Sequence, residues 1–463
     1  MTQTAAAPPS VRRINPGTLY FFGALGGILF GYDLGVIAGV LVIISKVWAL
    51  TGFEKGVVTA SLSVGAMIGA GLAARLNNRI GRRRSIMVAG VIVVIGTVAC
   101  CLAPDFDSLV VFRGILGIGI GFSSATVPTY LAELAPGRLR GAMSSLNQIF
   151  IVLGILIASI VTYELAPSKD WRWMFAGALV PATVLVVGLN FLPETPRWLL
   201  NLGKEDEARA VLASTHAGQD DDIDAEVASI REVIRADTEK TGRIRDLGAK
   251  WVRPMLFVAL LLAVGQQFSG VNAINAYFPT MLVTLGFTTS IALLSAIVLG
   301  VTKLAFTTWV VFVVDRWGRK PLLLIGNVVM VVTLLGAGWV ILHVHDKGTL
   351  GTLTVILLVL YLAGYELGWG AVVWVMMAEV FPLKVRAAGM GVGAVVLWAA
   401  TGLITALFPI ISDKNHLGLG HAMWLFAGVN VVLFLLTWWL VPETKGRSLE
   451  QIELNLRESA TTG

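Results

Sequence analysis

Asn78-Arg79-Ile80-Gly81-Arg82-Arg83 is answered much later in the chain by Asp315-Arg316-Trp317-Gly318-Arg319-Lys320. The echo extends outward from both copies. Glu133, Pro136 and Arg140 correspond to Glu379, Pro382 and Arg386 at a constant offset of 246 residues, and Pro193-Glu194-Thr195 corresponds to Pro442-Glu443-Thr444 at 249. Offsets this similar describe two structural repeats. In a membrane protein, two repeats facing one another are the architecture of an alternating-access carrier, with function between the halves.

Composition places the chain in a bilayer. Hydrophobic residues make up 56% and charged residues 14%, with a mean hydropathy of +0.79, whereas a soluble domain carries roughly a quarter charged residues. A hydrocarbon core about 30 Å thick needs about 20 apolar residues per helical crossing. Twelve candidates meet that length: 18–44, 56–77, 85–103, 108–132, 141–164 and 172–192 in the first half, then 254–285, 290–314, 321–345, 352–380, 386–411 and 422–441. The expected fold is an all-α polytopic membrane protein with two six-helix transmembrane repeats, 18–192 and 254–441. A tail at 1–17, a helical insertion at 193–253 and a tail at 442–463 complete it.

Lysine and arginine set the orientation. The two tails, the insertion and the short loops on that same side hold 27 of the 35 basic residues. The opposite loops hold Lys46, Lys55, Lys169, Arg172, Lys347 and Lys414. Both termini are expected in the cytoplasm, and the net charge of +6 is an orientation signal that implies no nucleic-acid partner. Residues 1–17 lack the pattern of a cleavable signal, so the first span is expected to be retained. Ala208, Val211 and Leu212, then Val227, Ile230 and Ile234, recur at helical spacing, so the insertion is expected to form two or three amphipathic helices. Asp220-Asp221-Asp222 lacks the alternating ligand spacing of a calcium loop. Cys100 and Cys101 are adjacent and cannot staple distant elements. No metal or other cofactor is expected.

Charges inside a membrane are costly and are candidates for function. Asp33 lies about 23 Å above the basic side of the first span, and Arg113 about 30 Å above the basic end of the fourth, at 1.5 Å per residue. They are expected to meet in the outer half of the first repeat, so that a proton on Asp33 is tied to the position of the arginine. Gly117 and Gly121 follow Arg113 on one helix face and allow a neighbouring helix to approach. Lys303 and Glu366 lie at matching depths of about 18–20 Å, which permits a salt bridge. Gln266, Gln267, Asn272 and Asn275 in the seventh span and Gln148 in the fifth supply donors and acceptors without the desolvation cost of charge, as a hydroxylated substrate requires. Trp374 and Trp398 could cover a sugar ring.

Gly26-Gly27 through Gly31-Tyr32-Asp33, Asn78-Arg79 with Gly81-Arg82-Arg83, Pro128-x-Tyr130-x-x-Glu133-x-x-Pro136 with Arg140-Gly141, and Pro193-Glu194-Thr195-Pro196-Arg197-Trp198-Leu199 fill the first half. Gln266-Gln267-x-Ser269-Gly270, Asp315-Arg316-x-Gly318-Arg319-Lys320 and Pro442-Glu443-Thr444-Lys445-Gly446 follow in the second. In their order and spacing these segments resemble the sugar porter family of the major facilitator superfamily, over the whole chain. The resemblance implies monosaccharide transport by a rocker-switch motion, with bacterial proton-coupled symporters and facilitative glucose transporters as the two types of member. It implies a proton-coupling role for Asp33 and Arg113 and sugar contacts for Gln148, Gln266, Gln267, Asn272 and Trp374. It also implies a cytoplasmic ionic gate of Arg79, Arg82, Glu133, Arg138, Glu194, Arg197, Arg316, Arg319, Glu379, Arg386 and Glu443, holding an outward-facing state closed inside.

The chain departs from the family pattern at Asn275 and Ala276, where an aromatic is common, and at Leu397, Lys303 and Ala371; Glu366 agrees with facilitative members. Lys303 leaves room for an acidic sugar or a polyol. A proton symporter working as a monomer in the inner membrane is the first expectation, with sugar and proton as its partners, and a proton-independent uniporter the alternative. A drug/proton antiporter would show a Gly-Pro motif in the fifth span, which residues 149–163 lack. A sugar sensor would carry a longer cytoplasmic tail. No nucleophile and base arrangement or phosphate loop suggests an enzyme.

Overall fold

The structure, a computed structural model, describes residues 16–134, 140–215, 223–240, 244–370, 372–381 and 383–445. Five long helices open the chain: α1 (Pro16–Val47), α2 (Gly52–Ile80), α3 (Arg82–Leu102), α4 (Phe106–Leu134) and α5 (Arg140–Leu165). The sixth span is broken into α6 (Trp171–Ala176) and α7 (Leu179–Gly188). The insertion folds as α8 (Pro196–Asn201), α9 (Glu205–Thr215) and α10 (Ile223–Lys240). The second half comprises α11 (Arg253–Phe268), α12 (Val271–Thr284), α13 (Thr289–Trp317), α14 (Arg319–His343), α15 (Lys347–Tyr365), α16 (Val372–Val380), α17 (Leu383–Ile411) and α18 (Gly418–Leu440). No strand occurs among the described residues, and twelve spans are long and apolar enough to cross a membrane.

The outer surface confirms the solvent. Leu102, Val180, Phe312, Val332 and Trp339 are more than half exposed, a density of bare apolar side chains that suits lipid and not water. Association between helices in lipid gains little from hydrophobic burial, so close backbone packing has to supply it. The α2–α4 contact does this reciprocally. A Cβ placed on Gly117 would lie 2.1 Å from the Leu62 carbonyl oxygen, and one on Gly121 would lie 2.0 Å from that of Ala66. From the other helix, a Cβ on Gly65 would lie 1.9 Å from the Gly114 oxygen, and one on Gly69 would lie 2.1 Å from that of Ile118. Each obstacle is backbone, which cannot rotate away.

Two spans in the second half are not the continuous helices that the sequence suggests. The seventh span is interrupted at Gly270, whose φ of +101° is open to glycine and strained for other residues. The break leaves the Ser269 carbonyl outside the helical ladder, where it accepts from Tyr361 Oη and Asn430 Nδ2, each at 3.0 Å. The tenth span passes through a π turn at Glu366–Gly370 between α15 and α16. In the first half, the broken sixth span gives Tyr32 its place: the phenol donates to the Met174 carbonyl at 2.7 Å. Non-helical backbone at membrane depth survives where protein groups take its hydrogen bonds.

Gly117→Leu is expected to abolish most folded protein, since overpacking against a fixed backbone costs about 1–3 kcal/mol or more. Size-exclusion profiles in detergent test this, with lipid-facing Val332→Leu as the control that keeps a wild-type profile.

Candidate functional site

Between the halves lies a cavity of about 470 Å³, within the roughly 300–1,000 Å³ range of small-molecule sites. Its wall comes from α1, α4, α5, α11, α12, α13, α16, α17 and the π turn with its flank. Lining residues descend α13 through Lys303, Thr307, Val310 and Val314, and reach Glu379 and Met390. The cavity therefore runs toward the ends that carry the Arg/Glu clusters. A second cavity of about 50 Å³ lies farther from that face, bordered by Asp33, Arg113, Thr59, Ser63 and Thr405. Asn272, Lys303 and Thr401 line both.

The polar wall is an ordered chain of amides. Asn272 Nδ2 donates to Gln267 Oε1 at 2.5 Å, Gln267 Nε2 to Gln266 Oε1 at 3.0 Å, and Gln266 Nε2 to the Trp369 carbonyl at 2.6 Å. The last acceptor belongs to the π turn, whose irregular ladder leaves a carbonyl available. Two backbone irregularities thus hold the amides: the Gly270 break brings Asn272 back toward Gln267, and the π turn anchors Gln266. Gln148 and Trp374 line the same cavity. Trp398 does too, with its ring 5.3 Å from that of Phe30 on α1, so an aromatic pair spans the two halves.

Lys303 Nζ lies 3.4 Å from Glu366 Oε1, with both side chains almost wholly buried. The other carboxylate oxygen accepts from Thr307 Oγ1 at 3.0 Å. Glu366 belongs to the π turn, and a Cβ on Gly370 would lie 2.3 Å from its Oε2, so glycine there makes room for the carboxylate.

Two expected placements require correction. Asn275 lines the small cavity with Asp33 and is not among the lining residues of the large one; three positions along α12 from Asn272, its side chain is displaced along the helix and around it. Asp33 and Arg113 border one cavity, and both are buried, but they form no ion pair in this conformation. Arg113 Nε donates to the Val58 carbonyl at 2.8 Å, and its guanidinium stands 5.6 Å from the Phe175 ring centroid. Neither Asp33 oxygen accepts a hydrogen bond. The glycine-mediated approach of α4 to α2 is what brings the arginine to Val58.

The side away from the Arg/Glu clusters is closed. Tyr277 Oη donates toward the Lys55 and Thr405 carbonyls at 3.0 and 2.9 Å, tying α12 to α2 and α17. A Cβ on Gly56 would lie 2.3 Å from the Ala406 oxygen, so α2 and α17 meet backbone to backbone.

At the opposite face, the two repeats build the same device. Glu194 Oε1 accepts from the backbone N–H groups of Arg82 and Arg83 at 2.9 and 3.1 Å, capping α3. Glu443 accepts from those of Arg319 and Lys320 at 3.1 and 3.0 Å, capping α14. Gly81 and Gly318 adopt φ +92° and +91°, and a Cβ at either would meet the capping carboxylate at 2.2 or 2.7 Å. Arg82 then pairs with Glu133 at 3.0 and 3.1 Å, and Arg319 with Glu379 at 3.3 Å. Arg386 Nε donates to the Phe381 carbonyl at 3.2 Å. Arg79 and Arg316 are exposed and Arg197 is half-buried. Arg138 lies outside the described residues.

This conformation is open at the face that the network is expected to hold shut in the outward-facing state. The Arg82–Glu133 and Arg319–Glu379 pairs each lie within one half, and the cavity reaches Glu379 between them. Each carboxylate is occupied by its own half's arginine or helix terminus.

Thr307, Asn147 and Phe30 border the large cavity and escaped the sequence reading. Thr307 follows Lys303 by one helical turn, and Asn147 adjoins Gln148, so helical spacing carried a signal for both. Phe30 gave none, because one aromatic in an apolar span looks like core.

A model of the family described as "Sugar (and other) transporter" matches residues 19–456. The chain is 37% identical to the D-xylose transporter of Levilactobacillus brevis, with 98% of each covered. It is 36% identical to the glucose transporter GlcP of Staphylococcus epidermidis, over 96% of this chain and 98% of that one. Among solved structures, the proton:xylose symporter XylE bound to 6-bromo-6-deoxy-D-glucose aligns with a TM-score of 0.79 at 31% identity, covering 95% of this chain and 99% of that one. The inward-open conformation of XylE from E. coli aligns at 0.82 and 29%, covering 95% and 100%.

Breaking a buried ion pair by removing one partner costs about 3–5 kcal/mol, whereas removing both charges costs far less. Lys303→Gln is accordingly expected to yield less folded protein than Lys303→Gln with Glu366→Gln. Equal yields by fluorescence-detected size exclusion would show that the pair contributes nothing to folding.

Proposed function

The chain belongs to the sugar transporter family of the major facilitator superfamily, as a multi-pass membrane transporter and not an enzyme, and on that premise we propose that it imports a neutral monosaccharide together with a proton. The observation that carries this reading is the adjacency of two cavities. The amide chain of Asn272, Gln267 and Gln266 faces the larger one, and Asp33 borders the smaller, with Leu34, Ile155, Asn272, Lys303 and Thr401 as their common wall.

In this reading the sugar hydroxyls bind Gln148, Gln266, Gln267 and Asn272, which donate and accept at once, while Trp374 and Trp398 cover the ring. Glu366 lies beside the ammonium of Lys303, which favours a neutral sugar over an acidic one. The two six-helix repeats are the moving bodies. Opening the far side separates α2 from α17 and breaks the two hydrogen bonds of Tyr277, and the Arg/Glu clusters exchange partners across the midline as their face closes. In this reading the open face, which carries the basic loops, is the cytoplasmic one. The likeness to inward-open XylE supports this assignment.

Asp33 is the coupling acid in this proposal, buried in the small cavity, with Arg113 on the same wall. Its proton is gained from the outside and released to the inside, and the sugar moves with it. The test is pH inside sealed proteoliposomes while monosaccharides are added singly outside, with radiolabelled counterflow in parallel. Sugar-dependent acidification is expected; counterflow without a pH change would make the protein a uniporter. Asp33→Asn is expected to lose accumulation against a gradient and retain counterflow, and undiminished accumulation would remove Asp33 from coupling. Gln267→Ala is expected to weaken sugar binding about tenfold, the equivalent of one lost net hydrogen bond of roughly 1–1.5 kcal/mol; unchanged affinity in a binding titration would place the pocket elsewhere.

A further inference from the structure

Asp33 is fully buried, and no described group donates to either carboxylate oxygen. Two cations border its cavity. Arg113 Nε is held by the Val58 carbonyl at 2.8 Å. Lys303 is held less firmly: its nitrogen is 3.4 Å from Glu366 Oε1, longer than the 2.7–2.9 Å of a charge-assisted hydrogen bond. Glu366 also keeps a separate donor, Thr307 at 3.0 Å, that does not depend on the lysine. Lys303 lines both cavities, whereas Glu366 lines the large one and Asp33 the small one. One turn before it, a Cβ on Gly300 would lie 3.2 Å from the Leu156 Cα of α5. The backbone of α13 is pinned there, and the flexible four-carbon stem is the part free to move.

We infer that Lys303 is a transferable counter-ion that pairs with Glu366 in the conformation open at the basic face and with Asp33 after the carboxyl has released its proton and that face has closed. The proton leaves Asp33 for solvent on the open side. The inference rests on the proton-coupled reading and deepens it. The ammonium forms part of the wall that sugar meets, so its transfer ties the charge on Asp33 to the donors offered beside Asn272.

The groups near Asp33 are few. Tyr32 adjoins it on α1, Cys100 comes from α3, Arg113 from α4, Tyr277 from α12 and Lys303 from α13 with Glu366 behind it. The α2, α5 and α17 walls bring Thr59, Ser63, Ser159, Thr401 and Thr405, which carry no charge.

The test is a double-mutant cycle without sugar or gradient. In a Glu366→Gln background the carboxylates left on the two cavity walls that Lys303 joins are Asp33 and Glu379, and Glu379 is already paired with Arg319. Purified Glu366→Gln protein, with Lys303→Gln, with Asp33→Asn and with both, is melted at pH 8.5 and pH 5.5. At pH 8.5 the effect of Lys303→Gln is expected to differ by about 2–4 °C or more between the background that keeps Asp33 and the one that carries Asp33→Asn. As the pH is lowered to 5.5 and Asp33 takes up its proton, that difference is expected to shrink to within about 1 °C. A purely structural lysine would give the same effect in both backgrounds at both pH values, and that result overturns the inference. If these proteins do not purify, the cycle is read in native membranes as counterflow of D-xylose and D-glucose by Lys303→Gln with and without Asp33→Asn. A tenfold change in apparent affinity when Asp33 is present and less than twofold when it is replaced supports transfer; equal changes refute it. The melting cycle involves no transport, so its failure is distinct from failure of the proton-coupled reading.

Discussion

Inside a bilayer every polar group that leaves a helix ladder must find a partner in the protein, and the interior of this molecule is organised around that requirement. The Gly270 break exposes the Ser269 carbonyl, and Tyr361 and Asn430 take it. The π turn exposes the Trp369 carbonyl, and Gln266 takes it. From Gln266 the chain of donors runs through Gln267 to Asn272. The amides that line the large cavity are therefore held in place by backbone irregularities, which would be intolerable at this depth without them. A regular helix in either span would leave no free carbonyl and no fixed amide.

The two ends of the molecule use different physics. On the closed side, Gly56 admits α17 at backbone contact and Tyr277 adds hydrogen bonds to two carbonyls. On the basic side, the interactions are electrostatic: carboxylates capping helix N-termini at Gly81 and Gly318, and arginines paired with Glu133 and Glu379. Helix caps on fixed backbone are suited to keeping each half rigid. The Arg82–Glu133 pair is mostly buried and the Arg319–Glu379 pair partly so, so an arginine there can leave its carboxylate only when another partner takes its place. A carrier needs both, because its halves must move as bodies and its closures must be reversible.

Much of this was legible in the chain. Twelve apolar runs, the repeated Gly-Arg-Arg and Gly-Arg-Lys segments, and the polar residues at Asn272, Gln267, Lys303 and Glu366 all follow from spacing and composition. Repetition was informative because Gly81 and Gly318 perform one task, leaving space for a carboxylate over a helix end. The breaks within the sixth, seventh and tenth spans were not legible as breaks. Gly270 is one of 50 glycines in the chain, and a π turn has no composition of its own.

The sequence by itself determined what each helix brings to the interior, because helical periodicity is local: it places Lys303 and Thr307 on one face, and it sets how deep Asp33 and Arg113 lie. Which of these groups touch was decided only in the tertiary structure. Arg113 turns to Val58 and leaves Asp33, Lys303 turns to Glu366, Asn275 joins the small cavity, and Arg82 and Arg319 pair with Glu133 and Glu379 of their own halves. The reason is that an ion pair depends on separations of a few ångströms between different helices. Those separations are set by how the helices within each repeat pack against one another, which no local pattern of residues encodes.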